Sequence, residues 1–155
     1  MNSSSVSLPA VLNSLIDTCR DGREGFQLAS REVENLALKP LLHEYALQRA
    51  AFGGELERLG QEFCEPSQQV VEGHIHKPRG WLKLQAALAE GDELAILVEC
   101  EREEEVAVTR YRDALHGHLP APVRQTITDQ FDAILAAQAR LKAVREAAAH
   151  LAAEV

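Results

Sequence analysis

Six polar residues fall near the midpoints of helical segments, on faces that otherwise read as apolar: Arg23, Gln48, Arg49, Glu101, Glu104 and Gln138. At about 100° per residue, Arg23 lies between Cys19 and Phe26, and Gln138 between Ile134 and Leu141. Glu101 and Glu104 share the arc marked by Leu97, Val108, Tyr111 and Leu115. Arg49 lies near the centre of its stripe and Gln48 at the edge. Such positions predict one polar layer across a helical bundle. A buried carboxylate is costly unless it is paired. Two chemistries could pair it: Glu101 and Glu104 could bridge a di-metal centre, or Arg23 or Arg49 could supply the positive charge, with Gln48 and Gln138 completing the hydrogen bonds.

The residue types favour the second. A di-metal bundle site takes a Glu from each of two helices and a Glu-x-x-His pair from each of the others. No Glu-x-x-His occurs here: Glu44 is followed three residues later by Leu47, and Glu101 by Glu104. Arginine stays protonated and cannot serve as a ligand. The expectation is therefore an internal salt-bridge network with no metal or other cofactor. Di-iron or di-manganese held by Glu101 and Glu104 is the alternative.

The elements that would position these residues are helices. Ala, Leu, Glu, Gln and Arg dominate, and strand-like alternation is almost absent, so the chain reads as all-α. Its 155 residues suit a single domain, 1–155. The first helix is expected after Ser7 and Pro9 and runs to about Glu32; residues 1–7 are expected to fray. The second starts at Asn35 or at Pro40 and ends near Cys64, ahead of Pro66. A crossover, 65–91, contains a short helix from Trp81 to Ala89. Asp92 caps the third long helix, which stops before Gly117 and Pro120. The fourth starts near Pro122 and fades into an Ala-rich tail. Two antiparallel pairs joined by one long crossover make a ferritin-like four-helix bundle.

The formal net charge of −8 argues against nucleic acid and against an anionic membrane surface. No apolar run approaches the ~20 residues of a membrane span, and no signal peptide is visible. Cys19, Cys64 and Cys100 form no CxxC pair and read as reduced, cytoplasmic thiols.

Longer stretches carry a resemblance. Leu12 to Asp17, Asp21-Gly22 and Gly25-Phe26 mark the first helix; Gln48-Arg49-Ala50 and Glu55-Leu56 mark the second. His76 to Trp81, Leu97 to Glu105, Tyr111, Ala114-Leu115, Leu119-Pro120 and Gln130-Phe131 continue the pattern. Together they resemble a bacterial four-helix-bundle family of unknown function, distantly related to rubrerythrin and ferritin. The resemblance implies a fold and a lineage rather than a reaction. It also implies a Glu where this chain has Arg23, a Glu near Gln48 and a His near Gln138, so three ligand positions are altered and Glu101 and Glu104 alone match.

Other residues read as ordinary structure. Glu99 and Glu103 belong to a solvated face. His74 and His76, and His116 and His118, read as surface residues. Cys19 and Cys100 read as core packing, and Trp81 as a plug between crossover and bundle. No catalytic set stands out, so a non-enzymatic bundle acting as a homo-oligomer or with a protein partner is favoured. A rubrerythrin-like redox or stress protein is the alternative.

Overall fold

The computed structural model describes residues 7–65 and 81–154. Within that range the chain is all-α, with no strand: α1 (Leu8–Glu32), α2 (Leu38–Phe63), α3 (Leu82–Glu90), α4 (Glu93–Leu115) and α5 (Ala121–Ala153). The four long helices and the short one before α4 are as expected. Residues 1–6 of the expected frayed segment 1–7, most of the crossover 65–91, and His74 and His76 lie outside the described residues; Ser7 is ordered as a cap.

Local chemistry sets the ends. Ser7 Oγ accepts from the Ala10 N–H at 3.3 Å, and Pro9 occupies the first turn of α1. Asp92 caps α4 in the same way, accepting from the Ala95 N–H at 3.1 Å. Gly91 closes α3 at φ 65°, a left-handed conformation that favours glycine. Asn35 is not the cap of α2. Its carboxamide oxygen instead accepts from the Ala37 N–H at 2.8 Å, and the helix starts at Leu38 with Pro40 in its first turn. The Asn35 amide donates to Glu93 at 2.9 Å, tying the α1–α2 turn to the start of α4. The expected fading of α5 does not occur. It runs for 33 residues, because Val144 and Ala148 still pack against the core.

α1 and α2 form one antiparallel hairpin, and α4 and α5 another; α1 packs along α4, and the α2–α5 approach is the loosest of the four. α1 and α4 also run antiparallel. Leu12 and Leu15 share a cluster with Tyr111 and Ala114, whereas Phe26 and Ala29 share one with Ile96 and Leu97. The diagonal helices α2 and α4 are therefore parallel, and the chain leaving α2 at one end re-enters at the other, beside α3. Each fully buried Leu or Ile in these clusters contributes about 1.5–3 kcal/mol.

Buried Leu84 and Ala87 seat α3 in the core, and one contact fixes its start. The Trp81 ring lies directly on Gly25 of α1, where an added Cβ would stand 2.1 Å from Trp81 Cζ2. Trp81 itself has φ 51°, so the chain turns sharply into α3 with its ring laid over α1. The role expected for Trp81, a plug, agrees with this packing.

Candidate functional site

The core divides into two apolar clusters, and charge lies between them. Arg49 projects from the middle of α2 and Glu104 from α4, across the diagonal of the bundle. Arg49 Nη1 donates to Glu104 Oε1 and Nη2 to Oε2, each at 2.6 Å. The side chains are 1% and 0% exposed. Arg49 Nε donates to Gln48 Oε1 at 3.2 Å, and the guanidinium lies 5.3 Å from the Phe26 ring centroid. Gly22 makes room: a Cβ there would come within 3.2 Å of Arg49 Cγ. Burial alone would lower Arg49, but the Glu104 charge and hydrogen bonds outweigh it and hold the guanidinium above its ordinary range.

A second network adjoins the first. The Tyr111 hydroxyl donates to Gln130 Oε1 at 2.6 Å, which leaves the Cys19 thiol, 3.2 Å from Tyr111 Oη, to donate to the hydroxyl. The Gln130 amide donates to Glu55 at 2.9 Å and to the Phe52 carbonyl at 3.3 Å. This chain passes through α1, α4, α5 and α2 in turn, so all four long helices share it. Burial, and then the neighbouring Cys19, push Tyr111 well above its usual value. Burial raises Cys19 to about 11. Burial likewise raises Cys100 to about 12, with Glu104, Glu99 and Glu101 adding to the effect. A nucleophilic cysteine needs the opposite shift; Cys19 and Cys100 are buried in the core, the packing position expected of them.

Of the six residues expected in the layer, Arg49, Glu104 and Gln48 meet. The other three do not. Arg23 is exposed. The buried arc of α1 at this level is Asp21, Gly22, Gly25 and Phe26, centred about 130° from Arg23 around the helix. The two glycines draw it there by admitting Arg49 and Trp81. Glu101 is partly exposed and bonds Arg145 of α5. The Gln138 amide donates to Glu105 at 2.8 Å at the exposed edge of the same pair of helices.

Glu103, expected on a solvated face, is 1% exposed. α3 and Trp81 roof that face of α4 and half-bury Glu99 as well. Gln130 and Glu55 were absent from the expected layer. Spacing could have found Gln130, which lies three residues after Ile127 and four before Ile134, at the centre of its stripe.

This arrangement is a poor fit for a metal pair. Both Glu104 oxygens are taken by the Arg49 guanidinium, and Glu101 is turned to Arg145. Among the described residues, no three His, Cys, Asp or Glu side chains group as ligands for an ion. No described helix is long and apolar enough to cross a membrane.

Fold and layer together define an all-α protein built on long helices around a buried charge network. The chain belongs to the family described as Domain of unknown function (DUF2383), which matches residues 9–117, from the first turn of α1 to the end of α4. α5, which supplies Gln130, lies beyond the matched stretch. No curated protein matches the chain.

Proposed function

We propose that this chain is a non-enzymatic, ferritin-like helical bundle that acts through protein association, with an Arg–Glu–Gln network in the place of a di-metal centre. The observation that carries the reading is the fully buried, bidentate Arg49–Glu104 pair. It satisfies the one carboxylate of the layer that is completely removed from water, so that carboxylate has no need of a metal. The raised thiols and Tyr111 support a non-catalytic interior, since nucleophiles and general acids are tuned toward neutral pH. Parallel diagonal helices and a return between α2 and α4 support the ferritin-like topology. The free thiols support a cytoplasmic location. For association, the support is four large apolar side chains, Leu36, Leu47, Leu82 and Leu151, left 58–77% exposed among the described residues.

Elemental analysis after anaerobic iron or manganese loading tests the first half. The proposal expects metal far below one ion per chain; about two per chain would overturn it in favour of a di-metal redox or stress protein. Sedimentation velocity tests the second half with Leu47→Glu and Leu82→Glu. The expected result is a wild-type oligomer that these variants weaken. A concentration-independent monomer that also captures no partner would remove the association role.

A further inference from the structure

A cavity of about 720 Å³ lies at the end of the bundle remote from α3, between the first two turns of α1 and the last turn of α4 with the connection that follows. Its volume is that of small-molecule pockets. Val11, Leu15 and Leu119 give it an apolar floor, and Arg110, Asp113, His116 and His118 stand around it. None of these residues belongs to the charge layer or to the tyrosine network.

We infer that this cavity binds a small organic acid: one carboxylate carried on a hydrocarbon body. The protein carries a net −8, whereas the formal charges of this lining, Arg110 and Asp113, cancel and leave the helix end to tip the balance. The amino end of α1, the positive end of its dipole, forms one wall. The carboxyl end of α4 would offset it, but Arg124 blunts that end. Its Nη1 donates to the Leu115 carbonyl at 2.8 Å and its Nη2 to the Gly117 carbonyl at 2.5 Å.

Arg110 is exposed at the rim, with its guanidinium tethered by one hydrogen bond. It donates to Thr18 Oγ1 at 3.4 Å, and the Thr18 hydroxyl donates in turn to the Ser14 carbonyl at 2.9 Å. Its remaining N–H groups suit a carboxylate. Among the described residues Asp113 is the one carboxylate of the lining, and it disfavours a second negative charge on the ligand. A phosphate or a dicarboxylate is therefore a worse fit than a monocarboxylate. The two imidazoles can donate to the same head group, and the floor takes the hydrocarbon. This site does not depend on the association role proposed above.

Calorimetric titration of the full chain with decanoate, kept below its micellar range, and with decanol tests the inference. Decanoate is expected to bind saturably at one site and more tightly than decanol. Arg110→Gln should weaken decanoate about tenfold, the loss of one charge-assisted contact, and leave decanol unchanged. Ala10→Trp, which fills the cavity from its exposed rim, should abolish both without lowering the unfolding midpoint. Absence of saturable decanoate binding overturns the site. So does decanoate binding that Ala10→Trp leaves intact, which would place it elsewhere. Decanoate binding insensitive to Arg110→Gln would overturn the carboxylate assignment, leaving a hydrocarbon cavity only.

Discussion

Replacing Arg49 by Met keeps most of the stem that lies against Gly22 and Phe26 and removes the charge. Glu104, 0% exposed, is then left without the guanidinium that held both its oxygens. Breaking one side of a buried pair costs about 3–5 kcal/mol. Against a total stability of about 5–15 kcal/mol, that is a large fraction. For a chain of this size it lowers Tm by about 6–20 °C. The stranded carboxyl escapes part of the cost by taking a proton. The folded variant then binds more protons than the unfolded chain, so its stability falls as pH rises. The deficit should therefore be larger at pH 8 than at pH 5.

Adding Glu104→Met removes the stranded charge. Apolar replacement of a whole buried pair is often neutral or stabilising, so the double variant should recover most of the loss. Urea unfolding followed by far-ultraviolet circular dichroism, at both pH values, gives the four stabilities of the cycle. A loss under about 1 kcal/mol for Arg49→Met, or a double variant worse than either single one, would refute the pairing as described.

Four further outcomes are expected. Gly25→Ala brings a methyl to 2.1 Å from the Trp81 ring, so the ring must leave; the cost should be about 1–3 kcal/mol, and fluorescence from the single tryptophan should shift to the red. Emission and stability both unchanged would contradict that packing. In a Cys64→Ser background, Cys19 and Cys100, with pKa values raised to about 11 and about 12, should react with a disulfide reagent no faster than the chain unfolds, from pH 7 to pH 9. A rapid stoichiometric reaction at pH 7 would show an accessible thiolate. Tyr111→Phe leaves Gln130 Oε1 without its donor and should cost about 1–3 kcal/mol. In the parent protein both tyrosines sit above their ordinary value, through burial first, so absorbance should show little tyrosinate at pH 10 while the chain is folded.

Much of the architecture was legible because helix formers, caps and breakers fall where the elements begin and end. Ser7, Asp92 and Gly91 each act through a local rule that needs no tertiary knowledge. The charge layer was legible in kind, and Arg49, Glu104 and Gln48 were among its expected members. Periodicity failed where a helix face is decided by what packs on it. Arg23 lies on an arc that reads as apolar, yet Gly22 and Gly25 turn α1 the other way by admitting Arg49 and Trp81. Glu103 reads as solvated until α3 covers it, and no spacing within α4 reports that cover. Glu101 was drawn outward by Arg145, forty-four residues along the chain.

The decisive observation would be an anomalous difference map from crystals soaked in iron or manganese. A guanidinium in bidentate contact with Glu104 and no anomalous peak within the layer are expected. Two peaks bridged by Glu101 and Glu104, with Arg49 displaced, would contradict that arrangement.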